Sequence, residues 1–189
     1  MKTLYNSFEK YSETSLFLVG IAITIAGSLL GYLLEAKFDS ILHISFTGGS
    51  FTGLFIDNIV NITILFAALY TVGYVINKKT RMIDVLTTVI ISRGPFYLSV
   101  LININGYFGK ITEQIMAGGG SLSAVSTADL SMLLVAAVLS ILVLVWSIAL
   151  LYNGFRVATN LKKTVHKVSF AFGILIADVL SIYIIYLIN

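Results

Sequence analysis

The chain has 189 residues, of which 58% are hydrophobic and 11% are charged, and its formal net charge at pH 7 is +3. This composition is too apolar for a water-soluble domain, and the chain is too long for a single membrane anchor, so one compact membrane domain is expected. The small charge argues against nucleic acid as a partner, and the absence of Cys excludes disulfides, thiolate nucleophiles and iron–sulfur clusters.

Five apolar runs follow a short leader, at residues 15–34, 54–77, 82–104, 130–152 and 168–188. Each supplies the ~20 residues that a helix needs to cross a ~30 Å hydrocarbon layer. The runs are too long and too uniformly apolar for barrel strands, so residues 15–189 are predicted to form an all-α bundle of five transmembrane helices. The leader, residues 1–14, is either a short interfacial helix or a solvated segment.

Basic residues alternate between the two ends of this bundle. Nine fall in the leader and in the segments that join spans two to three and four to five, whereas only Lys37 and Lys110 fall in the other segments. The positive-inside rule therefore predicts a cytoplasmic N-terminus and a C-terminus on the outer side. The predicted cytoplasmic basic face, which anionic lipid headgroups would attract, comprises Lys78, Lys79, Arg81, Arg156, Lys162, Lys163 and Lys167.

Small residues recur along one face of span one, at Gly20, Gly27 and Gly31. They predict the close approach of another helix, either within the chain or from a second copy of it. The first outer loop, residues 35–53, has an apolar middle and is expected to dip into the membrane interface. The second outer loop, residues 105–129, is glycine-rich near its centre and is expected to be a flexible linker.

Three charged residues stand out in the interior of the apolar runs, where a charge near the bilayer centre costs at least ~2.5 kcal/mol. Arg93 and Asp178 are the middle residues of spans three and five, so they are predicted to face each other across the bundle. The third, Asp57, shares a helix face with Asn61, and the two predict a polar stripe that opens outward. In an alternative arrangement Arg93 reaches this stripe instead of Asp178.

Three roles for this polar cluster are open: a buried ion pair that fixes helix register, a proton or ion relay, or a pocket for a ligand or headgroup. Asn103 and Asn105 would close its outer end from the adjacent helix. Gly94 and Pro95 directly follow Arg93, and proline bends a helix by removing one backbone donor. Such a kink is typical of helix packing and also of transport pathways.

Enzyme chemistry is not expected. His43 and His166 fall on opposite sides of the membrane in the predicted topology, so they cannot share a metal or a proton-transfer site. Neither a metalloprotease HExxH pattern nor a hydrolase GxSxG pattern occurs. The sequence predicts no metal site and no cofactor.

Two stretches together resemble the Yip domain family of five-span membrane proteins. They are RMIDVLTTVIISRGPFYLSVLI at 81–102 and VWSIALLYNGFRVATNLKKTVHKVSFAFGILIADVLSIYII at 145–185. The resemblance implies a non-enzymatic integral membrane protein that associates with itself or with other membrane proteins. Eukaryotic members act in Golgi and endoplasmic reticulum trafficking with Rab-type GTPases, and they carry a long cytoplasmic region before the first span. The short leader here is similar to the prokaryotic branch and implies a bacterial inner membrane.

The expected function is therefore that of a membrane scaffold, or of a factor that interacts with lipids or proteins in membrane organisation. The alternative is a small ion- or proton-coupled transporter or channel that uses Asp57, Asn61, Arg93 and Asp178 as its pathway. The absence of an inverted repeat within five spans counts against transport, although a dimer would supply the missing half.

Overall fold

The computed structural model describes residues 13–121 and 125–189, so the predicted leader lies outside the described residues apart from its last two positions. The elements in chain order are α1 (Glu13–Leu33), α2 (Phe51–Ile76), α3 (Met82–Tyr97), a 3₁₀ segment (Leu98–Gly106), α4 (Tyr107–Ala117), α5 (Thr127–Thr159) and α6 (Thr164–Ile188). Five helical stretches of this part of the chain are long and apolar enough to cross a membrane, with the third running from α3 through α4. This is the all-α architecture expected of an integral membrane protein.

Hydroxyl groups cap two of the long helices. Ser50 accepts a hydrogen bond from the amide of Gly53 at the start of α2, and Ser126 accepts one from Asp129 at the start of α5. Each satisfies a backbone donor that the first helical turn leaves without a partner. α5 ends where Asn160 adopts a left-handed backbone conformation, with φ of 52°, which turns the chain toward α6.

The third helix occupies the centre of the bundle. α3 packs against α1 on one side and α5 on the other, while α2 pairs mainly with α6. α3 carries buried polar residues, including Thr88, Ser92 and Arg93, whereas α5 exposes most of its aliphatic side chains. The polar helix is thus shielded by apolar ones, as expected when the surroundings are lipid.

The third span changes its backbone shortly after Pro95. α3 ends at Tyr97 and continues as the 3₁₀ segment, in which Asn103, Ile104 and Asn105 have non-helical dihedral angles. Proline has no amide hydrogen to donate to the carbonyl one turn earlier, so the helix loosens at this point. The linker predicted at 105–129 is wrong in part, because residues 107–117 form α4.

The first outer loop folds into a compact hairpin, residues 35–48. Lys37 and Ser45 exchange two backbone hydrogen bonds of 2.8 and 2.9 Å, and the amide of Gly48 donates to the carbonyl of Glu35 at 2.9 Å. Glu35 has a positive φ of 54°, which reverses the chain directly after α1. The tip of the hairpin, residues 40–43, is closed by hydrogen bonds between Ser40 and His43.

The hairpin enters the bundle far deeper than an interfacial loop would. The amide of Leu42 donates to the carboxylate of Asp178 at 2.9 Å, and Asp178 lies ten residues before the end of α6 at Ile188. Ten helical residues span about 15 Å, which is about half of a ~30 Å hydrocarbon layer. The expectation of a loop at the interface is therefore wrong, and the hairpin is re-entrant.

Candidate functional site: a polar cluster around the re-entrant hairpin

Polar side chains from the spans bind the backbone of the hairpin and its approach from α1. Asn103 donates to the carbonyl of Leu34 at 2.7 Å, and Asn61 donates to the carbonyl of Phe38 at 2.9 Å. Deeper in the bundle, Arg93 donates to the carbonyl of Ile41 at 3.4 Å. Non-helical backbone is tolerated at membrane depth only where the protein satisfies its polar groups. These side chains supply the hydrogen bonds that water would otherwise give to the backbone of the hairpin.

A single peptide group lies between Arg93 and Asp178. Arg93 donates to the carbonyl of Ile41, and the amide of the next residue, Leu42, donates to Asp178. The carbonyl and amide of a trans peptide lie in one plane and point in opposite directions, so the two charged groups lie at opposite edges of the same peptide group. The predicted direct pairing of Arg93 with Asp178 is wrong, because the hairpin tip occupies the space between them.

The remaining contacts of Arg93 are with neutral groups. Its guanidinium donates to Asn58 Oδ1 at 3.4 Å and to the Tyr97 hydroxyl at 3.3 Å, and its Cζ lies 5.3 Å from the centre of the Phe96 ring. The side chain is buried, and it forms no salt bridge with any residue of the described chain. Amide, hydroxyl, carbonyl and aromatic groups therefore solvate this cation in place of a carboxylate.

Asn58 joins three helices and is the member of the cluster that sequence reasoning missed. It is fully buried, accepts from Arg93, and donates to Ser28 Oγ on α1 at 2.9 Å. The hydroxyl of Ser28 in turn donates to the carbonyl of Thr24. The signal in the sequence was its place between Asp57 and Asn61, where a third polar residue on an apolar helix indicates a buried partner.

The polar stripe on α2 is closed to the outside. Asp57 and Asn61 are 1% and 0% exposed, so the outward opening predicted for them is wrong. Asn61 accepts a hydrogen bond from Ser181 on α6, and Asp57 Oδ1 accepts one from Asn189 at 3.1 Å. Within the part of the chain that the structure describes, the second carboxylate oxygen of Asp57 is buried and has no hydrogen-bond partner. Of the two outer asparagines, Asn103 is buried against the hairpin approach and Asn105 is exposed.

The glycines of span one pack inside the molecule. A Cβ atom on Gly20 would lie 2.6 Å from Ile90, and one on Gly27 would lie 2.3 Å from the Tyr97 ring. Both contacts are with α3, whereas Gly31 lies against the hairpin. Gly20 and Gly27 therefore let α1 pack closely against α3, so the close approach is within the chain and not with a second copy of it. Gly94 has a looser contact, since its Cβ would lie 3.4 Å from a methyl group of α1.

The predicted basic residues gather at the end of the bundle opposite the hairpin. They lie on the turn that follows α2 and on the junction of α5 with α6, and these two turns are adjacent because Asn77 donates to the carbonyl of Thr159 at 3.5 Å. All of their side chains are exposed: Lys78, Lys79, Arg81, Arg156, Lys162, Lys163 and Lys167. Arg81 pairs with Asp84 at 3.9 Å, and Lys78 lies over the Tyr74 ring.

The cluster can hold backbone, but its chemistry is limited. Within residues 13–121 and 125–189, no three His, Asp or Glu side chains group in a way that would hold a metal ion. What the arrangement does is to connect α1, α2, α3 and α6 through one buried network around the hairpin. No protein-family model matches this chain, and no curated protein or solved structure is significantly similar to it.

Proposed function

We propose that this protein is a non-enzymatic scaffold of the bacterial inner membrane, similar to the Yip domain family, which interacts with lipids or with other membrane proteins. The observation that carries the proposal is the use of the intramembrane polar groups. Arg93, Asn61 and Asp178 all bind hairpin backbone, so they serve to build a rigid body. A transport pathway would instead present such groups to an open cavity.

The basic end of the bundle supports the same reading. Seven exposed cationic side chains at adjacent turns favour contact with anionic headgroups, each worth about 1 kcal/mol near a charged membrane surface. In the proposed orientation this end is cytoplasmic and the hairpin enters from the outer side. A membrane-protein partner or a second copy of the chain would meet the same face.

The decisive experiment is reconstitution of the purified protein into liposomes with an imposed pH or potassium gradient. A scaffold leaves both gradients intact, at the level of empty liposomes. In parallel, a photo-reactive residue placed at Lys163 in bacterial membranes should give discrete adducts, whereas one placed at the lipid-facing Leu142 of α5 should give none with protein. Gradient dissipation, or identical adduct patterns at the two positions, would reject the scaffold role.

A second candidate, a proton-coupled transporter, is favoured by one observation. Asp57 is 1% exposed, and one of its carboxylate oxygens has no hydrogen-bond partner among the described residues. Burial of such a group is costly unless the group has a function. This candidate predicts proton flux into liposomes that Asp57→Asn abolishes. Flux that is absent in the wild-type protein under both gradients removes it.

A further inference from the structure

An apolar groove follows the seam between the 3₁₀ segment, α4 and the first half of α5. Its volume is about 470 Å³, and its walls include Leu101, Ile104, Phe108, Met132, Val135 and Leu139. The Tyr107 hydroxyl donates to Asp129 in the first turn of α5, which fixes the polar end of the groove at the hairpin side of the bundle. Along α5 the wall of the groove runs from Met132 to Leu139, which is seven residues or about 10 Å of helix.

Among the residues that the structure describes, Lys110 is the one charged side chain in the wall of this groove, and Asp129 lies outside the wall, where it accepts from the Tyr107 hydroxyl. Lys110, on the first turn of α4, is exposed and forms no salt bridge with any described residue. Asn105 lies beside it on the wall, with its backbone held at φ of 59°. A free ammonium at the polar end of an apolar channel is complementary to a phosphate that carries a hydrocarbon chain.

The chemistry of the wall favours a lipid over a partner helix. An apolar transmembrane helix in the groove would leave the ammonium group of Lys110 against hydrocarbon, whereas an anionic lipid places its phosphate there and its acyl chain on the apolar wall.

We propose that this groove binds one anionic glycerophospholipid, with one acyl chain lying between α5 and the 3₁₀ segment and its phosphate on Lys110 and Asn105. The inference deepens the proposed function, since it names one lipid contact of a protein proposed to interact with lipids. The bound lipid fills the seam where α4 leaves the bundle, and so it fixes α4 against α5.

The test is to count bound lipid by mass spectrometry of the intact protein in detergent, with phosphatidylglycerol and phosphatidylcholine added together. The matched variants are Val135→Trp and Leu134→Trp, because both side chains are exposed on α5 but only Val135 lines the groove. We expect one retained phosphatidylglycerol in the wild type and in Leu134→Trp. Val135→Trp should lower its occupancy about tenfold or more, because the indole fills the channel.

Lys110→Gln tests the headgroup separately. It should reduce the preference for phosphatidylglycerol over phosphatidylcholine roughly fivefold, as expected for one lost cation near a phosphate. Equal lipid retention by the two tryptophan variants would overturn the site, and so would equally strong displacement by palmitate, which would indicate a free fatty acid. These lipid counts are independent of the liposome gradients, so failure of the scaffold proposal and failure of the groove are distinguishable.

Discussion

Replacement of Asn61 by leucine is the most direct test of how the hairpin is held. Leucine has the same branching as asparagine and the same number of side-chain heavy atoms, although it is larger, but it cannot donate to the carbonyl of Phe38, which is fully buried on the hairpin. A stranded buried acceptor costs about 1–3 kcal/mol, whereas an average polar contact between membrane helices contributes about 0.6 kcal/mol. Ser181 also loses an acceptor, but its hydroxyl can turn to a carbonyl of its own helix. We expect a net loss of about 1–2 kcal/mol.

Two assays separate global from local effects of Asn61→Leu. The midpoint of thermal unfolding in detergent should fall by roughly 2–8 °C for a chain of this size. The amides of Lys37 and Ser45, which close the hairpin, should exchange hydrogen roughly 5–30 times faster. The control is Thr63→Val, since Thr63 is exposed on the same helix and bonds only to a carbonyl of that helix. If Asn61→Leu matches this control in both assays, the hairpin is not held by the polar cluster.

Three further predictions address packing, the charge pair and orientation. Gly27→Val should destabilise the protein by about 1–3 kcal/mol and broaden its gel-filtration peak, because the added methyl groups overlap a buried ring, whereas Gly109→Ala, with open space around it, should behave as wild type. Asp178→Asn should be milder in thermal unfolding than Asp178→Leu, since asparagine retains an oxygen for the hairpin amide; equal losses would assign the effect to charge alone. Because the chain has no Cys, single cysteines can report topology: one at Lys79 should resist an impermeant thiol reagent added outside spheroplasts and one at Lys110 should react, and the reverse result would invert the proposed orientation.

The spans were readable from the sequence because hydropathy measures contact with hydrocarbon directly. The ends of the helices were harder to predict, because a helix continues through polar residues as long as its backbone hydrogen bonds continue. The fourth apolar run was predicted to end at residue 152, but α5 continues through Arg156 to Thr159. The thickness of the membrane sets the length of the apolar run. The end of the helix is set instead by a residue whose backbone is in the left-handed region, here Asn160.

The sequence predicted which residues belong to the polar cluster but not what they contact. A polar residue in an apolar run indicates a buried partner, and this logic selected Arg93, Asp178 and Asn61, which the structure places around the hairpin rather than in the predicted pair and stripe. It could not show that their partner is backbone, because the sequence carries no mark of a loop that returns into the bundle. The side chains of the tip residues Ile41 and Leu42 are apolar. The group that contacts both Arg93 and Asp178 is the peptide between them, and a peptide group joins every pair of neighbouring residues, so nothing in the sequence marks this one.

The peptide between Ile41 and Leu42 also determines how early during synthesis the hairpin can enter the bundle. Leu42 emerges early from the ribosome, but the carboxylate that accepts its amide lies 136 residues later, in the final helix. At about 5–20 residues per second, roughly 7–27 s separate the synthesis of the two. We expect the nascent hairpin to wait at the membrane surface during that interval and to enter the bundle only as the last helix inserts, so that chains stalled before Asp178 present an open loop to membrane proteases.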